Sequence, residues 1–129
     1  EDSVFRLSRA AGPRSAATFQ AWYRLQAARL LPERVSGLAA RFGFRPRGVR
    51  ITSARTRWGS CSPGGMLAFS WRLMIAPWPV IEYVILHELV HLETKNHSAA
   101  FWEQLGALVP DYKDHIHWLK THGPHASNL

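Results

Sequence analysis

A chain of 129 residues, 47% hydrophobic and 19% charged, is the size of one domain with its own core, and this composition excludes an intrinsically disordered protein. No apolar run approaches the roughly 18 residues that a membrane span needs, and no signal-peptide pattern opens the chain, which begins on Glu1 and so reads as a trimmed piece. The net charge of +7 is unevenly spread: residues 1–57 hold 12 arginines against three acids, whereas residues 58–129 hold four basic and six acidic residues.

Such an asymmetry steers a protein toward polyanions, and nucleic acid is an expected partner through the arginine-rich N-terminal half. A solvated helix face in an arginine-rich background, here thirteen arginines to three lysines, accounts for the same excess.

Residues 1–13 have weak periodicity and end in Ala-Gly-Pro, which suits a tail or a first edge strand through Val4, Phe5 and Leu7. From Arg14 or Ser15 to Phe42 the pattern is helical. Ser15 suits a cap, and Phe19, Trp22, Tyr23, Gln26 and Leu30 recur at three- and four-residue spacing. Pro32 suits the first turn of a second helical piece carrying Val35, Leu38, Ala39 and Phe42, and Gly43 ends it. These aromatic residues read as core rather than as a platform for bases.

Phe44 to Ser70 changes period. Val49, Ile51 and Ser53 alternate with Arg50 and Thr52; Arg57 to Cys61 and Met66 to Ser70 follow, joined by the turn Ser62-Pro63-Gly64-Gly65. Three short strands in a small antiparallel sheet are expected, with Met66 to Ser70 as an edge able to pair with an extended peptide. Gly59 allows close backbone approach, and Cys61 reads either as a thiolate for a metal or as a small packed residue. As the single cysteine it cannot form an internal disulfide, which points to a reducing, cytoplasmic setting. Arg72 can clamp a carboxylate or cap backbone carbonyls.

Pro77 and Pro79 bracket the start of a helix expected from Pro77 or Trp78 to Lys95. It carries His-Glu-x-x-His at His87, Glu88 and His91, inside an apolar run of Ile81, Val84, Ile85, Leu86, Leu89, Val90 and Leu92. Histidines four apart share a helix face and can hold one metal ion, leaving Glu88 beside it as general base. The alternative is a pair of buried, hydrogen-bonded histidines, but a helix apolar on nearly all sides makes unsatisfied imidazoles costly. Catalytic zinc takes three protein ligands. His97 is the leading third ligand, with Asn96 as a left-handed cap turning the chain back; Glu93 and Glu103 are its rivals. Ser98 then caps a helix to about Leu108, with Phe101, Trp102, Leu105 and Leu108 inward. Pro110 closes it, and Tyr112 to Thr121 form a last helix with Ile116, Trp118 and Leu119. His115 and His117 on that helix read as solvated, while Tyr112 and His117 are candidate donors to an oxyanion. Residues 122–129, with His122 and His125, read as a frayed tail.

The order of helical arm, small sheet, metal helix and two closing helices is α+β. Arg57-Trp58-Gly59-Ser60-Cys61, Trp71-Arg72-Leu73 with Pro77, Tyr83-Val84, His87-Glu88-Leu89, Asn96-His97-Ser98, Phe101-Trp102 and Pro110-Asp111-Tyr112 together resemble the YgjP-like metallopeptidase family. That family is similar to the SprT-like and WLM zinc proteases, and the resemblance spans about Leu30 to His122. It implies a compact zincin fold, zinc at His87, His91 and His97, and a catalytic Glu88. The expected activity is zinc-dependent hydrolysis of a protein or peptide substrate. A DNA-associated protease acting on DNA-bound proteins, and a non-hydrolytic zinc module binding nucleic acid or protein, stand as alternatives.

Overall fold

The computed structural model describes residues 13–123, with side chains from Thr18 onward; the expected tails before Pro13 and beyond Gly123, His125 included, lie outside the described residues. Helix α1 spans Pro13–Phe42 and places Ser15 within its first turn. Its buried stripe of Ala27, Leu31, Val35, Leu38 and Ala39 follows helical spacing. The expected break at Pro32 is corrected, because the helix continues through it. Proline there removes one N–H bond and crowds a carbonyl. Core contacts on both sides, Leu31 before and Val35 after, offset that cost. The helix stops where Gly43 adopts φ +80°, and the Phe44 N–H donates back to the Ala39 carbonyl at 2.8 Å, a Schellman closure.

Strands β1 (Gly48–Thr52), β2 (Gly59–Cys61) and β3 (Met66–Ser70) form one sheet in the order β1-β3-β2. The β2–β3 hairpin is antiparallel, with Cys61 opposite Leu67, and its turn is closed by Gly65 N–H donating to the Ser62 carbonyl at 2.9 Å. β1, however, runs parallel to β3, with Ile51 opposite Phe69. The sheet is therefore mixed, not the antiparallel sheet expected. The chain between β1 and β2 skips one strand position, and β3 fills the slot between them. Leu67 and Phe69, both 0% exposed, give β3 the apolar content that this central position rewards. It follows that Met66 to Ser70 is no edge strand; β1 and β2 are the edges.

A short 3-10 helix at Trp71–Ile75, capped by Ser70, leads into helix α2 (Trp78–Val90). Pro77 precedes that helix, and its carbonyl accepts from the Val80 and Ile81 N–H groups, both at 3.0 Å. Every residue from Tyr83 to Val90 is buried, so α2 is the spine on which α1, β2 and the closing helices pack. Helix α3 (Ala99–Leu108) begins at Ser98, whose hydroxyl accepts from the Phe101 N–H at 3.4 Å. Helix α4 (Tyr112–His122) closes the chain and includes His122, expected in a frayed tail but stacked on Trp118 with ring centroids 4.0 Å apart. The architecture is α+β. No helix among the described residues is long and apolar enough to cross a membrane.

Candidate metal centre

Helix α2 ends differently from expectation, and the site depends on how. The predicted helix ran to Lys95 with a left-handed Asn96. Instead α2 stops at Val90, and among the described residues no non-glycine residue has positive φ. The chain tightens into a 3-10-like turn in which Leu92 N–H donates to the Leu89 carbonyl and Glu93 N–H to the Val90 carbonyl, each at 3.0 Å. His91 is the cap of this turn. Its Nδ1–H donates to the Thr94 carbonyl at 2.9 Å, which fixes the tautomer and leaves Nε2 with a lone pair. His87, 1% exposed, is fixed the same way: its Nδ1–H donates to Glu88 Oε2 at 2.9 Å.

The loop from Leu92 then returns His97 to the same point. His97 Nε2 lies 3.1 Å from His91 Nε2 and 3.2 Å from His87 Nε2. One ligand atom from each of the three histidines lies within 4.8 Å of the others. A single Nε2–H on His97 satisfies at most one of its two neighbours, so at least one of these lone pairs has no donor among the described residues. A cation satisfies all three at once. Tetrahedral zinc with bonds of 2.0–2.1 Å holds its nitrogens about 3.3 Å apart, close to the two separations found. Burial is the first cause depressing the pKa of both His91 and His97 below 6.5. The Thr94 carbonyl opposes that shift at His91, and the neighbouring histidines reinforce it at His97. Both imidazoles are thus kept neutral, the form that ligates metal.

Phe101 floors the cluster, its ring centroid 5.1 Å from His87, 4.5 Å from His91 and 4.9 Å from His97. Trp102 stacks on His97 at 5.6 Å. Opposite lies the edge strand β2: Gly59, Ser60 and Cys61 share with the three histidines and Glu88 a cavity of about 250 Å³.

The chain matches, over residues 3–122, the family model described as YgjP-like, metallopeptidase domain. It belongs to the YgjP-like metallopeptidase family. The resemblance read from the scattered motifs agrees with that membership. The YgjP-like chain is also similar in fold to the metallopeptidase zymogen of Pyrococcus abyssi abylysin, with a TM-score of 0.62 and 22% identity over 69% of this chain and 90% of that one. No curated protein sequence matches it.

Within this YgjP-like domain the other residues singled out from the sequence fall as follows. Glu93 accepts from Gln104 Nε2 at 2.9 Å, and Thr94 Oγ1 donates to Gln104 Oε1 at 3.4 Å, so Gln104 ties the loop that carries His97 to α3. Among the described residues neither Glu93 nor Glu103 joins the ligand cluster. Tyr112 sits behind Trp102, stacked on it at 5.4 Å, and His117 is exposed; neither lines the cavity. His115, expected to be solvated, is buried against Tyr83 and 3.3 Å from the Asp111 carboxylate. Cys61 lines the cavity, yet its Sγ donates to the Ser62 carbonyl at 3.5 Å and stands outside the ligand cluster. Burial first, then the Glu88 charge, raises its pKa, which keeps the thiol protonated. Arg72 caps carbonyls: its Nη1 donates to Ser53 at 2.8 Å and Ala54 at 3.3 Å.

Sequence reading missed Arg57 and Lys95, which border the cavity, and the Thr94 carbonyl that orients His91. Arg57 carries a signal, since it opens the Arg-Trp-Gly-Ser-Cys motif. A backbone carbonyl carries none.

Proposed function

We propose that this domain is a zinc-dependent peptidase, with His87, His91 and His97 holding the ion and Glu88 as general base. The observation that carries the reading is the opposition of three Nε2 atoms whose outer nitrogens, on His87 and His91, are committed to a carboxylate and a carbonyl. Imidazole donors suit zinc. Held there, the ion supplies Lewis-acid polarisation of a carbonyl and acidifies water to a pKa near 7. The protein's own groups do the rest. Glu88 lines the cavity with one oxygen held by His87; the other takes a proton from water and passes it to the leaving amine. Strand β2 lines the cavity beside that carboxylate. Phe101 and Trp102 wall the imidazoles from bulk water on the far side.

Glu88→Gln tests the reading. The amide keeps an oxygen for His87, so zinc content should match wild type while cleavage of unfolded casein falls by about 10²- to 10⁴-fold. Casein cleaved at the wild-type rate would remove Glu88 as the base.

A second reading draws on three crowded guanidinium groups. Arg24 Nη2 donates to Ser53 Oγ at 2.9 Å, Arg72 binds the Ser53 carbonyl, and Arg72's pKa is lowered by burial and then by the positive charges of Arg55 and Arg24. Among the described residues no carboxylate pairs with them. This favours docking of a polyanion such as DNA, as in a DNA-associated protease or a non-hydrolytic zinc module. Casein cleavage that rises on adding DNA supports the former, and salt-sensitive DNA binding without cleavage supports the latter.

A further inference from the structure

Two cationic side chains border the cavity beside the three histidines. Arg57, two residues before β2, and Lys95, on the loop between His91 and His97, are both among the residues that line it. Arg57 also borders a recess of about 110 Å³, lined in part by Thr52, Ser60 and Ala68, that shares Arg57, Gly59 and Ser60 with this cavity. Lys95 Nζ donates to the Pro63 carbonyl at 3.4 Å, which ties it to the β2–β3 turn on the same rim. Among the described residues neither cation has a carboxylate partner within 4 Å. Among the described residues the sole acid lining the cavity is Glu88, already engaged by His87.

Charge selectivity in such a cavity comes from the charged side chains that line it. Two cations with no carboxylate partner among the described residues favour anionic side chains and repel basic ones. We propose that the cleft selects acidic polypeptide, with Arg57 and Lys95 as specificity-determining residues that receive Asp or Glu side chains near the bond to be cut. This deepens the peptidase reading and rests on it.

The test uses the full chain carrying Glu88→Gln, loaded with zinc, and fluorescent peptides of one length whose flanks are Glu, Gln or Lys. Fluorescence anisotropy should rank them Glu, Gln, Lys, with Glu over Gln by about tenfold, from two screened contacts of about threefold each. That preference should collapse in about 1 M salt, where screening acts within about 3 Å. Adding Arg57→Glu with Lys95→Glu should invert the order so that the Lys peptide binds best, an outcome that misfolding cannot produce. Equal binding of the Glu and Gln peptides, or an order unmoved by the double reversal, overturns the proposal. So does a single-stranded oligonucleotide that outcompetes the Glu peptide in an Arg57- and Lys95-dependent way, since it assigns the cations to nucleic acid. Wild-type protein assayed on casein in parallel separates the two levels: cleavage without charge preference removes this inference alone, whereas absent cleavage removes the peptidase reading and the substrate assignment with it.

Discussion

Gly59→Ala is a direct test of how β2, which lines the metal-site cavity, packs on β3. A Cβ built on Gly59 falls 2.9 Å from Phe69 Cδ1, 3.1 Å from Phe69 Cε1 and 3.3 Å from the Ala68 carbonyl oxygen. Phe69 is 0% exposed and cannot swing away, so β2 has to move by several tenths of an ångström. Overpacking of this kind costs about 1–3 kcal/mol. For a domain of this length that lowers Tm by about 4–11 °C. Because β2 forms one wall of the cavity, the same shift displaces Ser60 and Cys61 relative to Glu88. Gly37→Ala is the matched control. Its Cβ meets nothing within 4 Å and it lies inside α1, so it should stabilise by about 0.5–1 kcal/mol. Calorimetry on both variants checks the pair; a Gly59→Ala protein melting at or above wild type refutes the packing described here.

Tyr83 is fully buried against His87, and its hydroxyl has no hydrogen-bond partner among the described residues. Tyr83→Phe should therefore leave stability unchanged or raise it by up to about 1 kcal/mol in chemical denaturation, and a loss beyond about 1 kcal/mol would show that the hydroxyl has a partner. The depressed pKa values of His91 and His97 set a pH dependence. With the folded values below 6.5, the unfolded chain binds more protons as pH falls through that value. Stability of the metal-free protein should thus be lost as pH drops from about 6.5 toward the depressed values, and zinc retention should persist below that pH; a midpoint of zinc release above pH 6.5 contradicts this.

Helical features were legible because their periods are local. The four-residue spacing of His87 and His91, the Ser98 cap and the Gly43 stop each depend on a few neighbouring residues, and each has the expected place in the structure. Strand direction was not legible: alternation has period two in either direction, so nothing in Val49 to Ser53 distinguished a parallel partner from an antiparallel one. The exchange of edge and centre between β2 and β3 follows from the same blindness. Around the metal centre, His97 could be read as a donor, but its return depends on the Thr94 carbonyl and on Gln104 across the turn, which are tertiary facts. His115 was misjudged for a similar reason, because its burial comes from Tyr83 on another helix.

Zinc content of purified protein, measured by mass spectrometry beside His87→Ala, His91→Ala and His97→Ala, addresses the convergence on which everything else depends. One zinc per chain, lost or greatly weakened in each of the three variants, is the predicted result. A His97→Ala protein that holds zinc as tightly as wild type contradicts it.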